Sequence, residues 1–312
     1  MVYKYHPLSI DFLKKRKLKA VVFQGTICAG IFFVVSILIN NLFLNLNRAG
    51  LGIDFSWLLR PAGFALAEHS LKYSPSDSYL WALFMGWLNS LKVIFFSLII
   101  ATLIGFLVGI ARTGKNILLS FFSSGYVTLI RQTPLLLQLM FWYFVGFLSI
   151  KNNLFYPIDN ILKVSNQGLI FLGFNFSAEF SALLLGLSVF TGAYISEVVR
   201  GGIQSVHKGQ WEAYRSLGLS ENVGLYKVIM PQALPAILPG LTSQYLNLAK
   251  NSTLAIAVGY ADIYAISDTV ITQTGRAIEG FILLLVGFLC LNLIISNLME
   301  LINTLILNSQ KH

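Results

Sequence analysis

GQWEAYRSLGLSENVGLYKVIMP, residues 209–231, is a polar, helix-forming stretch set between two long apolar segments, and the rest of the chain can be read outward from it. It is too charged to cross a bilayer. Residues 210–217 are good helix formers, and Gly218 ends that helix because glycine accepts the left-handed conformation of a helix stop. Ser220 is placed to cap a second helix, with Glu221 in its first turn and Lys227 near its end; Pro231 either ends that run or opens the next helix. The expectation is two short helices joined at an elbow.

Hydrophobic residues make up 56% of the 312 and charged residues 11%, with a mean hydropathy of +0.72. That balance places the chain among integral membrane proteins. The formal net charge of +9 does not form a basic stripe with interleaved aromatics, which argues against nucleic acid. Cys28 and Cys290 lie inside apolar segments as small hydrophobes, so neither a disulfide framework nor a CxxC pair is present. His6, His69, His207 and His312 have no metal-ligand spacing. There is no GxxxxGK[ST] phosphate loop, and Arg112-Thr113-Gly114-Lys115 is not one. Any nucleotide is therefore expected on another chain.

Six apolar segments are expected to span the membrane: 20–47, 93–111, 129–150, 180–196, 235–258 and 280–299. The basic run Lys14-Lys15-Arg16-Lys17 precedes the first, which is too long for a signal-peptide core and reads as a retained anchor. Residues 48–81 are mixed and read as an external loop with an interfacial helix around Trp57. Gly105-x-x-x-Gly109 in the second segment lets another helix approach closely. Thr133 reads as an N-cap with Pro134 at the first helical position, and 151–179, rich in Asn and Gly, as a loop. With the N-terminus in the cytoplasm, 14 of the 22 Lys and Arg fall on internal pieces, as the positive-inside rule requires. The elbow then faces the cytoplasm. No internal repeat is evident; the chain divides into an anchor region, 1–80, and a membrane core, 81–312.

The elbow's residue order carries a resemblance. Glu212, Ala213, Gly218, Val228, Met230 and Pro231 fall at the spacing of the EAA-type loop of ABC-importer permeases, with Tyr214 in place of the second alanine. Tyr126-Val127, Leu129, Arg131, Thr133-Pro134-Leu135-Leu136 and Gln138 resemble the signature of permeases for polar amino acids, the histidine/glutamine/arginine/opine type; Thr128 stands where that family usually has Glu. The stretches 193–206, 248–256 and 259–262 continue the match, and Asn47-Arg48-Ala49-Gly50 and Arg60-Pro61-Ala62-Gly63-Phe64 are similar to the branch that imports a broad set of L-amino acids. The resemblance implies an all-α, MetI-like type I ABC-importer permease fold in the bacterial inner membrane. It also implies a partner permease, more often a homologue than a copy, a pair of ATPase subunits that bind ATP and Mg, and a periplasmic binding protein. No catalysis and no cofactor are expected in this chain.

Two groups of residues are candidates for the work. Trp211, Glu212, Ala213, Leu217, Gly218 and Pro231 are expected to dock the elbow on the ATPase: Glu212 by charge, Ala213 and Gly218 by small size, Trp211 and Leu217 as apolar anchors. Thr133, Gln138, Glu197, Asn247, Lys250 and Asn251 are candidates for the substrate route, since a charge at membrane depth is costly enough to point to function. The plainer alternatives stand beside them: a snorkelling or structurally paired Lys250, an i,i+3 ion pair of Glu197 with Arg200, and a cap for Thr133. An ion-gradient-driven transporter is the competing class, and would show midplane helix breaks in two inverted halves. A membrane enzyme would need a nucleophile and base close together, and His207 has no evident partner.

Overall fold

The computed structural model describes residues 8–48, 52–150, 155–158 and 161–309. Lys4, Ala49, Gly50, Lys151, Asp159 and Lys311, on which parts of the charge count and the resemblance rest, lie outside them. The chain divides into two compact units, 1–54 and 55–312. The first contains α1 (Leu8–Arg48), whose segment Val21–Arg48 is apolar and long enough to cross a membrane.

The second unit begins with a 3-10 turn, Ser56–Leu59, that buries Trp57 at 4% exposure, so the helix expected here is a single turn. Trp57, Leu58 and Ala62 pack on Ala82, Leu83, Ile266 and Val270. Residues 55–78 thus belong to the body of the core. α2 (Tyr79–Ala111) is capped by Ser78, whose hydroxyl accepts from the Trp81 amide. α3 (Ile117–Gln132) is capped by Asn116 in the same way. α4 (Leu135–Met140) continues as a π-helical segment, Phe141–Leu148.

The expected span 129–150 is therefore two pieces, broken at Thr133 and Pro134. Pro134 disfavours the helical conformation at the residue before it, and Thr133 sits at φ −101°, ψ 134° as the C-cap of α3. Pro134, without a side-chain cap bond, starts the next helix. Thr133 is not an N-cap; its hydroxyl faces back to the Leu129 and Ile130 carbonyls.

Residues 155–158 and 161–177 form an antiparallel meander rather than a loop: β1 (Phe155–Ile158), β2 (Leu162–Ser165), β3 (Gly168–Phe171) and β4 (Phe174–Ser177), in that order. Val164 and Leu169 root the meander against Phe147, Ala178 and Ala182. The fold is thus helical with a small sheet inserted before α5 (Ala178–Ser205).

α5 is the central helix and buries its small residues against α2 and α8. A Cβ on Gly105 would sit 2.3 Å from Ile195, and one on Gly109 2.8 Å from Val199. The GxxxG spacing is what allows α2 and α5 to touch backbone to backbone. After α5 come α6 (Lys208–Ser216), α7 (Glu221–Gly224), a π-helical turn (Leu225–Ile229), α8 (Met230–Asn251) and a 3-10 stretch (Ser252–Val258). Glu221–Val258 is one continuous helical run, so Pro231 does not end the second elbow helix; it opens α8, the other of the two expected readings. Pro231 lies in the first turn of α8, directly after the π-helical turn, the kind of local rewinding that accommodates a proline in a helix.

α9 (Ile263–Thr274), capped by Asp262, and α10 (Ala277–Ser309) complete the unit. On α10, Phe281, Leu285, Leu289 and Leu293 recur every fourth residue and are each more than half exposed, the lipid-facing stripe of a span. Among the described residues four helices are long and apolar enough to cross a membrane, five if the bent pair Glu221–Val258 with Ile263–Thr274 is one span. The helical segment 135–148, at about 1.5 Å per residue, falls short of a ~30 Å hydrocarbon layer.

Candidate functional site: the elbow and the cleft above it

The first elbow helix, α6, closes with a Schellman motif. Leu219 donates to the Tyr214 carbonyl at 3.2 Å and Gly218 to the Arg215 carbonyl at 3.0 Å, with Gly218 at φ +70°. Tyr214 holds the two helices together. Its ring is buried at 1% exposure, its hydroxyl donates to Glu221 Oε2 at 2.7 Å, and a Cβ on Gly224 would meet the ring at 2.3 Å. Glu221 also pairs with Lys115 from the α2–α3 connection and with Arg215 Nε at 3.3 Å. Lys115, then Tyr214 and Arg215, hold the Glu221 carboxyl far below its usual range, at about 2. Ser220 is the N-cap of α7 but makes no side-chain cap bond.

The docking candidates separate. Glu212 and Ala213 are exposed, and Leu217 is 77% exposed. Trp211 is half-buried against the chain's own core, its ring 6.0 Å from Tyr214 and 5.8 Å from the Arg215 guanidinium. Trp211 is thus an internal brace, and Leu217 with Tyr226, 60% exposed, supplies the free apolar area. Pro231 is half-buried in the helical run beyond the elbow. Sequence reasoning missed Tyr214, counted as a departure from the pattern, and Gly224; a tyrosine ten residues before a glycine carries no local signal that the two will touch.

Above the elbow lies a cleft of about 310 Å³ between α5 and α8, lined by Phe190, Thr191, Tyr194, Gln244, Asn247, Lys250 and Asn251. Three of the route candidates, Asn247, Lys250 and Asn251, therefore share one wall. Successive offsets of three or four residues put Gln244, Asn247 and Asn251 on one face of α8. Lys250 is exposed, and among the described residues no carboxylate pairs with it. The wall thus offers amide donors and acceptors beside one ammonium, groups suited to a small zwitterion.

Glu197, one turn nearer the elbow than Tyr194, is outside the cleft lining. It gathers three arginines: Arg112 at 2.9 Å, Arg131 at 3.2 Å and Arg200 at 2.9 Å. The i,i+3 pair with Arg200 is present, and two further helices contribute to the same carboxylate. Gln138 is also absent from the cleft. Its amide nitrogen donates to the Ile130 carbonyl (2.9 Å), the Thr133 carbonyl (3.1 Å) and Thr133 Oγ1 (2.7 Å), and so stitches the α3–α4 break. Thr133 and Gln138 are joint residues.

Comparison with known proteins agrees with this architecture. The family model described as "Binding-protein-dependent transport system inner membrane component" matches residues 97–307. A putative amino-acid ABC transporter permease protein of Escherichia coli, YhdX, is 34% identical over 91% of this chain and 93% of its own length. The general L-amino acid transport system permease protein AapQ of Rhizobium johnstonii is 31% identical, covering 85% and 86% respectively. Among solved structures, an amino acid ABC transporter crystallised with histidines matches with a TM-score of 0.58 and 28% identity over 72% of this chain and 94% of that one. The MetNI methionine transporter, at 20% identity and a TM-score of 0.56, shares the fold.

Proposed function

Because this chain belongs to the family of binding-protein-dependent transport system inner membrane components, we propose that it is the membrane-spanning permease subunit of an ATP-driven importer of L-amino acids. It is not itself an enzyme. The observation that carries the reading is the continuity between the elbow and the cleft. One wall of the cleft, α5, leads through Val206 and His207 into α6; the other, α8, is continuous with α7 in the run Glu221–Val258. A displacement of the elbow is thus passed as a rigid-body movement to Thr191 and Tyr194 on one side and to Asn247, Lys250 and Asn251 on the other. Such a linkage converts nucleotide-driven closure of a partner into alternating access without chemistry in this chain.

Glu212, Ala213, Leu217 and Gly218 form the surface that a pair of ATPase subunits grips, and those subunits bind ATP and Mg. Trp211 and Pro231 act from behind it, by shaping the elbow. Asn247, Lys250 and Asn251 line the route, with Lys250 facing the substrate carboxylate; Glu197, Thr133 and Gln138 bound it. The second permease is a homologue of this chain, the substrate is delivered by a periplasmic binding protein, and the assembly sits in the bacterial cytoplasmic membrane. The names of the relatives support amino acids as the cargo.

The test is to purify the tagged chain from its native membrane and identify what accompanies it. An ATPase and a second permease are expected. A chain that purifies alone and takes up amino acids in liposomes without ATP would instead be a secondary transporter.

A further inference from the structure

We propose that Arg131 is a second docking point for the carboxylate of the transported amino acid, one turn below the cleft, and that binding there releases α3 from α5. The inference rests on the transport reading above and adds a residue that reading does not use.

Three observations place Arg131 in this role. First, it adjoins the cleft: Tyr194 lines the cleft, and the Arg131 guanidinium lies 5.0 Å from the centre of that ring. Second, Arg131 is the most exposed of the three arginines on Glu197. Arg200 reaches Glu197 Oε2 through both Nε and NH2, each at 2.9 Å, and Arg112 is only 13% exposed and 2.9 Å from Oε1. Arg131 makes a single 3.2 Å contact with its side chain 42% exposed. One carboxylate among three guanidinium groups leaves an excess of positive charge, and a guanidinium has five donors to share. Moving Arg131 from Glu197 to an incoming carboxylate exchanges one charge-assisted hydrogen bond for another, while Glu197 keeps two partners.

Third, Arg131 stands at a joint. It is in the last turn of α3, two residues before Thr133 at the Thr133–Pro134 break that Gln138 stitches. Letting go of Glu197 removes the charged tie between this end of α3 and α5, and leaves the Tyr126 hydroxyl on the Val189 carbonyl as a tie nearer the middle of α3. The substrate's own carboxylate would thus unlock the elbow-facing end of the route.

The experiment uses the assembled complex. Uptake of the common L-amino acids into proteoliposomes, with the binding protein and ATP, is ranked first; no uptake of any of them would overturn the transport reading itself. The amino acid taken up fastest and its carboxamide are then titrated onto the nucleotide-free complex without binding protein. The wild type is expected to bind the acid more tightly than the carboxamide by about tenfold, the scale of one charge-assisted hydrogen bond. Arg131→Gln should lower that preference, leaving the part held by Lys250, and Arg131→Lys should retain most of it. Glu197→Gln, which removes the competing carboxylate, should tighten binding of the acid. If Arg131→Gln keeps the wild-type preference, the carboxylate is held elsewhere, by Lys250, and the proposal fails. Equal weakening of both ligands in Arg131→Gln and Glu197→Gln would mean a structural tie only, and would also overturn it.

Discussion

Tyr214 occupies the position where the EAA-type pattern has its second alanine, and in this chain that side chain turns inward. Its ring lies on Gly224 and its hydroxyl on Glu221. Removing only the hydroxyl, in Tyr214→Phe, should cost about 1 kcal/mol, the net value of one hydrogen bond, because the ring still fills its space. Tyr214→Ala should cost about 3–5 kcal/mol, as emptying a buried aromatic site does. Thermal unfolding of the detergent-solubilised chain, followed by protease sensitivity of the elbow, measures both. The Glu221 carboxyl adds a pH signature. Its pKa is lowered in the folded state from 4.5 to about 2, so its contribution is present above about 4.5 and is lost as pH falls toward about 2. Protease resistance of the elbow should therefore be flat between about pH 5 and 8 and decline only in stronger acid, and Glu221→Gln should remove that decline.

At the scale of elements, the elbow is set by Gly218 and by helix continuity. A Cβ on Gly218 meets open space, so crowding does not require glycine there; the backbone at φ +70° does. Gly218→Asp places a strained, charged residue on the face proposed to meet the ATPase. The strain is about 1 kcal/mol, too little to keep the chain from folding into the membrane. The expected result is normal membrane insertion with loss of substrate-stimulated ATP hydrolysis by the assembled complex. Normal hydrolysis and transport by that variant would remove the elbow from the coupling path. The same scale shows where local patterning is insufficient. Thr133 and Pro134 read equally well as a helix start and as a helix break, because both place an extended residue before a proline; the amide of Gln138, reaching back to Ile130, marks the break. The meander at 155–177 is similarly hidden, since its strands are only four residues long and the Asn and Gly that form its turns also mark ordinary loops.

For the molecule as a whole, the two cleft walls and the two elbow helices form one connected path, and transport should depend on the partner that drives it. Right-side-out membrane vesicles carrying the complete complex should take up an amino acid only with the binding protein outside and ATP inside. Uptake should persist when an uncoupler collapses the proton gradient, which separates this mechanism from a gradient-driven one.

The composition of the chain, the GxxxG of α2, the stop at Gly218 and the spacing of Glu212, Ala213 and Gly218 were sufficient to determine a helical membrane protein with an elbow of two short helices. Each is a local property, set by hydropathy over one segment or by the backbone freedom of one glycine. Tertiary structure alone decided that Trp211 faces inward while Leu217 faces out, that Asn247, Lys250 and Asn251 share a wall with Tyr194, and that Glu197 serves arginines from three separate helices. Those relations join residues up to 85 positions apart, such as Arg112 and Glu197, and depend on how closely small residues let α2, α5 and α8 approach. Helical periodicity fixes which residues share a face, but it does not fix what that face meets.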